Sequence, residues 1–468
     1  MSQEMSAHRP IINIEDAADL VRQSPHDFVK VGLTDIDGLL RGKLMHRDKF
    51  LGALDAGFGF CNVVLGWDIN DQLYDNSRYT GWHTGFPDAP VRIIPESGRQ
   101  IPFEDGRWMF LCEFADPAAE ICPRGVLTRV LEKASAMGFE VLAGFEYEFF
   151  VFAETLASAA AKQYRDLVPV ASGNTGYSLL RQSKLNPLYT DIFSSMAAMG
   201  IGLEGLHEET GAGVIEAAIQ VDGALAAADK ASLFKTYTKA LIQNRELIAT
   251  FMAKWNMNEA GQSGHLHLSL TTAPLTADDG AANPFHDPAA EHGISDAMRH
   301  FIGGQQTHMA DLTAMVAPTV NSYRRLVPGL WAPTDATWGI DNRTCAIRGL
   351  PGSPKSHRIE YRVPGADANP YLVAAAAIAS GLHGIEHGTE PTTPQTGNAY
   401  DTEHPEPLRL PTNLVDAGKR FAGSAMAREW FGDAFVDHFA ASRNWEARQL
   451  PMDPAISTAE LDRYFELT

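Results

Sequence analysis

The sequence predicts an α+β protein in two unequal parts, a small N-terminal portion of strands and a larger portion mixing helices and strands. Three observations carry this expectation. Short period-two apolar runs broken by turn residues fill roughly the first 110 positions. The pattern changes around Asp116-Pro117 and Cys122-Pro123, after which runs of helical spacing alternate with strand-like runs. The chain has 468 residues, 45% apolar and 21% charged, which is the composition of an ordinary globular protein with a full-sized core. The boundary is placed between 1–115 and 116–468.

Taken in order, FVKVGLTDIDGLLRGKLM reads as two strands around the Asp37-Gly38 turn signal, and residues 11–110 as short strands with turns. A Gly-, Trp-, Asp- and Pro-rich stretch over 66–95 reads as an ordered loop. Residues 124–137 carry Val126, Val130, Leu131 and Ala134 at helical spacing, and VLAGFEYEFFVF at 141–152 follows as a strand. The longest expected helix covers 224–255, with Leu233, Leu241, Leu247 and Phe251 on one side, and HLHLSL is the strand after it. Asn369 caps a further helix with Pro370 at its first position and Gly381 near its end.

Charge and cysteine usage exclude several classes of function. With 58 acidic against 38 basic residues the net charge is −20, which repels nucleic-acid backbones and anionic membranes. Any anionic substrate therefore needs a local cluster of arginines or metal ions. Cys61, Cys112, Cys122 and Cys345 lack CxxC spacing and disulfide-scaffold density. The polar start MSQEMSAHRP has no signal-peptide core, and the longest apolar run, 371–382, is too short to span a bilayer. A soluble protein of a reducing compartment, the cytoplasm, is expected.

Five constellations carry chemistry. In GFEYEFF, Glu146 and Glu148 share one face of a strand and repel each other unless a cation lies between them. In HLHLSL, His265 and His267 likewise share a face. Glu204, His207, Glu208, Glu209 and Glu216 bracket a Gly-rich turn. Arg358, Glu360 and Arg362 alternate on one strand, and Arg324, Arg325, Arg343 and Arg348 crowd into the preceding stretch. Oxygen ligands with one or two histidines suit Mg²⁺ or Mn²⁺ better than zinc. Cations beside arginines are what phosphoryl transfer demands, since charge develops on phosphate oxygens. The chain has neither a Walker loop nor a kinase Gly-rich loop. The residues alone thus point to metal-dependent phosphoryl or nucleotidyl transfer to a carboxylate-bearing substrate.

LTDIDG, GFEYEFF, HEETGAGVIE, GQSGHLHLSL, NSYRRLVPG, DNRTCAIR, RIEYRVPGADANPYL and AELDRYF, in this order, make the chain resemble the glutamine synthetase family nearly end to end. The resemblance implies an N-terminal β-grasp domain, a large catalytic domain, and a homo-oligomeric double ring, a dodecamer, with active sites between subunits. It implies one Mg²⁺ or Mn²⁺ on Glu148, Glu208 and Glu216, and a second on Glu146, His265 and Glu360. Glu204, His267 and Arg358 would contact ATP, while Gly261, Arg325 and Arg362 would hold glutamate. Arg343 and Arg348 would steady the transferring phosphate, and Asp35 would be the acid that receives the amine. The implied chemistry is attack of the glutamate γ-carboxylate on ATP, then displacement of phosphate from γ-glutamyl phosphate by an amine.

Departures from the family pattern fall on the amine side. Trp331 stands where the family's flap carries a Glu, Val214 or Ile215 where it carries a Gln, and the DGSS-like segment is absent, with Gly66-Trp67-Asp68 near its place. An indole in place of a carboxylate removes a charge that favours ammonium and adds a large apolar face. The expected activity is therefore a γ-glutamylamide synthetase using an aromatic or alkyl amine, or, with Trp331 as mere flap packing, a glutamine synthetase using ammonia. The intact acid, His and Arg set argues against a catalytically silent relative. Tyr400, in a short NxYD match to an adenylylation segment, reads as a plain surface tyrosine.

Overall fold

The computed structural model describes residues 11–272, 274, 282–451, 453 and 455–468, so the polar N-terminal decapeptide lies outside them. The N-terminal strands are β1 (Phe28–Thr34), β2 (Leu40–His46), β3 (Phe58–Cys61), β4 (Asp88–Ile93), β5 (Arg99–Ile101) and β6 (Arg107–Phe114). They form a six-stranded sheet of order β2-β1-β6-β4-β3, with β5 on β6 and β1 parallel to β6. The β1–β2 hairpin closes where Gly38 takes φ 90°, a left-handed conformation that glycine adopts without a Cβ penalty.

The second sheet has nine strands. They are β7 (Glu140–Phe152), β8 (Leu203–Glu208), β9 (Val214–Ile219), β10 (Asp222–Gly223), β11 (Ile248–Thr250), β12 (Gly264–Thr271), β13 (Trp338–Ile340), β14 (Ile347–Leu350) and β15 (Arg358–Tyr361). Their order is β13-β14-β15-β12-β7-β9-β8, with β10 and β11 also on β7. The alternation of β7 turns Phe145, Tyr147 and Phe149 into the core and leaves Glu146 and Glu148 on the open face. Helices cover the buried face: α1 (Ile14–Gln23) and α2 (Arg47–Ala56) accompany the small sheet, and α3 (Pro123–Ala136), α4 (Leu156–Ala161), α5 (Leu179–Ala198), α6 (Ala224–Gln243), α7 (Asp296–Val316), α8 (Ser322–Arg325) and α9 (Pro370–His387) follow. Among the described residues four further helices lie between Leu414 and Tyr464; the larger apolar cluster takes in buried residues from Ile11 to Phe439, and a smaller one gathers Phe150, Phe152, Trp255 and Phe465.

Several expected elements differ. The N-terminal part contains α1 and α2, each opened by a side-chain cap from Asn13 and His46, so it is not strands alone. Residues 88–93 of the expected loop form β4, which pairs with β6. The helix expected over 224–255 ends at Gln243. Glu246 enters the left-handed region at φ 57°, and Ile248–Thr250 then pairs with β7, carrying Leu247 and Phe251 off the helix face. Sheet pairing there overrides a helical apolar period. Asn369 caps α9 as expected, but the helix continues beyond Gly381 to His387. Gly381 and Gly384 instead admit α7: an added Cβ would meet the Phe301 ring at 2.2 Å and the His300 carbonyl at 2.1 Å. No helix among the described residues is long and apolar enough to cross a membrane.

Candidate active site

Strand registry builds the site on the open face of the large sheet. Glu146 lies opposite His265, His267 opposite Glu360, Arg348 opposite Glu360, and Glu148 opposite Glu216. Cross-strand partners in antiparallel pairs project to the same side, so these side chains meet over neighbouring strands. His265 Nδ1 is 3.7 Å from Glu146 and 3.3 Å from Glu360, and His267 Nε2 is 3.2 Å from Glu146. Glu146, His265 and Glu360 each offer a ligand atom within 4.8 Å of the others, a spacing that suits a cation.

Guanidinium groups surround this triad. Arg348 donates from Nη1 to Glu360 at 2.9 Å, Arg362 donates to the other Glu360 oxygen, and Arg358 Nε donates to His267 Nδ1 at 3.2 Å. Burial opposes ionisation of Glu360, but Arg362, His265 and His267 bring its pKa down to about 2. Burial likewise opposes ionisation of Glu146, and the imidazoles of His265 and His267 hold it well below the usual carboxylate range.

The second group lacks such compensation. Burial, with Glu148, Glu146, Glu209 and Glu360 nearby, pushes Glu216 up to about 9. Burial and Glu148 push Glu209 upward. Glu148 accepts the Ser263 amide at 2.6 Å, while His207 lies 3.6 Å from Glu216 and 4.0 Å from Glu209 beneath the stacked ring of Tyr177. Glu208 is not in this group. It pairs in register with Ile215 and shares the buried face with Leu206, so its carboxylate points away from Glu216. Successive strand residues face opposite sides, and Glu209 takes the place the spacing suggested for Glu208.

The remaining expected residues divide clearly. Arg325 is buried and donates to Ser263 Oγ and to the carbonyls of Val363 and Arg362, so it supports the segment directly after β15 that carries Arg362. Gly261 is what lets it approach, since a Cβ there would lie 2.5 Å from Arg325 Cγ. Burial lowers Arg325 to about 10. Glu204 is exposed at a bulge of β8 and Arg343 is exposed, with its charge felt by Glu209. Val214 and Ile215 are core residues.

Asp35 does not meet Trp331 in the chain. Its carboxylate closes the β1–β2 hairpin, accepting the Leu39 amide at 2.9 Å and Arg41 Nε at 2.7 Å, and it is 1% exposed. Burial raises it to about 6, with Arg41 opposing and Asp37 assisting. Trp331 is 55% exposed and lines a cleft of about 1160 Å³ together with Trp338, Asp341 and Arg343. Tyr400 is not a surface tyrosine: it is half-buried, its buried hydroxyl makes no hydrogen bond among the described residues, and Arg362 and Arg325 are the cations it feels. The sequence reading named Glu209 in the acidic run without giving it a ligand role, and it missed Tyr177, whose ring stacks on His207. Only strand parity in HEETGAG could have separated Glu209 from Glu208.

The fit to divalent cations is chemical. Among the described residues His265 Nε2 and His207 Nε2 are buried without hydrogen-bond partners, and no guanidinium bonds the neighbouring Glu148, Glu209 and Glu216 carboxylates. Binding of Mg²⁺ at pH 7.5 is expected to release about one proton per site, because Glu216 is protonated in the free protein. Calorimetric titrations in buffers of different ionisation enthalpy measure this directly, and proton-neutral binding would contradict it.

A face combining oxygen ligands, imidazole and arginines defines a divalent-cation-dependent enzyme that handles phosphate. A profile of the glutamine synthetase catalytic domain matches residues 120–464. The chain is 39% identical over 463 residues to type-1 glutamine synthetase 2 of Dictyostelium discoideum, covering 98% of this chain and 87% of that protein. It is 35% identical to the glutamate–isopropylamine ligase of a Pseudomonas species, covering 96% and 97%. It is 36% identical to the γ-glutamylethanolamide synthetase of Streptomyces coelicolor, covering 98% and 96%. A solved structure of a GmaS–ADP complex aligns with TM-score 0.78 at 27% identity, over 93% of this chain and 97% of the other. The chain belongs to the glutamine synthetase family, and is a carbon–nitrogen ligase of that family.

Proposed function

We propose that the protein is an ATP-dependent ligase joining the γ-carboxylate of glutamate to an organic amine through γ-glutamyl phosphate, with ADP and phosphate as the other products. The observation that carries this reading is Trp331, an exposed indole on the cleft that also holds Arg343, at the position where the family carries a flap Glu. Two relatives are named for organic amines, which supports the same reading.

In this mechanism Glu146, His265 and Glu360 would hold one Mg²⁺ or Mn²⁺, and Glu148, Glu209 and Glu216 would hold the other. Bound there, the cations would neutralise phosphate charge. Arg343 and Arg348 stabilise the transferring phosphoryl group electrostatically. His267 and Arg358 orient the nucleotide, with Glu204 at its edge, and Arg362, backed by Arg325 and Gly261, receives glutamate. We assign residues 1–115 to a β-grasp unit and 116–468 to the catalytic unit of a cytoplasmic homo-oligomer, a dodecamer with sites between subunits.

Phosphate release from ATP with glutamate and Mg²⁺, measured across ammonium, isopropylamine, ethanolamine, putrescine and aniline, tests the reading. An organic amine is expected to exceed ammonium at least tenfold in kcat/KM, with the γ-glutamylamide identified by mass. Ammonium as the best nucleophile would make the protein a glutamine synthetase, the activity for which its Dictyostelium relative is named.

A further inference from the structure

We propose that His308, His383 and His387 form a binding site for a transition-metal ion of the Ni²⁺ or Zn²⁺ class, bridging α7 and α9. None of the three belongs to the candidate active site, whose acids and imidazoles stand on strands of the large sheet, and the proposal is independent of which amine the enzyme uses.

Two helices supply the three rings. His383 and His387 are four residues apart near the end of α9, a spacing that puts both side chains on one face of a helix. Their rings stack with 4.1 Å between centroids. His308 reaches them from α7, its ring 4.6 Å from that of His383 and at 87° to it. Glycines set how closely the helices approach, since a Cβ on Gly384 would lie 2.6 Å from Gly304 Cα. Half-buried side chains next to that contact are thereby brought face to face.

Three observations point to a metal. First, His308 Nε2 and His383 Nδ1 are 3.1 Å apart. Two nitrogens held about 2.05 Å from one tetrahedral ion lie about 3.3 Å from each other, so the pair is already spaced as a clamp. In the free chain one ring donates to the other. On metal binding that donor carries its proton on its outer nitrogen, which no bond among the described residues engages, and both inner lone pairs face the ion. Second, His387 donates from Nδ1 to the His383 carbonyl at 2.9 Å, which leaves its Nε2 as the ligand nitrogen. A bond from the other ring nitrogen to a backbone carbonyl is how ligating histidines are oriented. Third, Glu429 and Glu386, both exposed, are the acids whose charge His383 feels, and they add oxygen donors beside the three imidazoles. Lys133, the cation that shares those acids, is held to the Glu429 carbonyl at 2.6 Å and over the Trp430 ring.

Binding requires one movement, the unstacking of His387 from His383 so that its Nε2 turns towards the clamp. Imidazole donors select Ni²⁺, Cu²⁺ and Zn²⁺ over Mg²⁺, which prefers the oxygen-rich catalytic face.

The test titrates Ni²⁺ calorimetrically into the untagged full-length protein, stripped of metal by chelation and then supplied with excess Mg²⁺ at pH 7.5. One Ni²⁺ per subunit is expected to bind and to raise the melting temperature. His383→Gln and His387→Gln are each expected to weaken that binding about tenfold or more and to abolish the rise, with Mg²⁺-supported ligase activity within about twofold of wild type. His387 is exposed, so its variant keeps the fold. Glu216→Gln, which alters the catalytic cation site, is expected to leave this Ni²⁺ binding unchanged. Ni²⁺ held equally by the wild type and both histidine variants, or lost in Glu216→Gln alone, would place the metal on the catalytic face and overturn the inference. Failure of the wild type to bind Ni²⁺ in excess Mg²⁺ would overturn it as well.

Discussion

Glu216→Gln is expected to make the metal-free protein more stable while reducing ligase activity by about a thousandfold or more. In the folded chain Glu216 is raised from 4.5 to about 9, by burial first and then by the surrounding carboxylates. The sign follows from linkage. A carboxyl whose folded pKa is raised contributes full stability below the unfolded value near 4.5, and that stability is lost as pH climbs towards about 9. At pH 7.5 the folded wild type has taken up a proton that the unfolded chain does not hold, at a cost of up to about 4 kcal/mol. A glutamine has the shape of the protonated acid and carries no such cost. The apo melting temperature should therefore rise by several degrees and lose most of its decline between pH 5 and 8.5. The same variant should gain little stabilisation from Mg²⁺, where the wild type gains strongly. An apo variant no more stable than wild type across that range would show that the carboxylates around Glu216 do not repel as the geometry requires.

Trp331→Glu is expected to move the enzyme towards ammonium, raising kcat/KM for ammonium about tenfold or more and lowering it for isopropylamine by a similar factor. The indole is 55% exposed on the cleft, so its removal takes an apolar wall from the amine and does not open a cavity in the core. Apolar contact with a small alkyl group, with any cation–π attraction, amounts to about 1–2 kcal/mol, or roughly tenfold in kcat/KM. A carboxylate there attracts every ammonium, but only the smallest gains without losing a packed surface. Both residues are non-glycine, so φ of 60° costs them alike and the substitution keeps the flap backbone. A product ratio from mixed ammonium and isopropylamine, read by mass spectrometry, measures the change. An unchanged ratio would make Trp331 flap packing only.

The local pieces of this site were legible because strand chemistry is short-range. The alternation in GFEYEFF and HLHLSL names which carboxylates and imidazoles share a face, and the structure keeps those faces. The Asn369-Pro370 helix start was also readable, since a cap and a first-turn proline act within four residues. Where the reading failed, a distant partner decided. The run from 244 to 255 has a helical apolar period, yet β7 recruits Ile248–Thr250 as a strand. Glu208 and Glu209 are adjacent acids of equal chemistry, and the register with β9 places the first opposite Ile215 and leaves the second beside Glu216.

From the sequence by itself came the α+β class, the family, and the donor chemistry: carboxylates, two imidazoles and a train of arginines in an acidic chain. These follow from residue type, spacing and order, which require no knowledge of what lies across a sheet. The tertiary structure alone decided which acids meet, that Asp35 is closed into a hairpin by Arg41, and that Trp331 lines the same cleft as Arg343. The physical reason is that desolvation and charge pairing depend on neighbours brought together from far along the chain. Arg348, seven residues from Asp341 and twelve from Glu360, binds both only because β14 lies against β15.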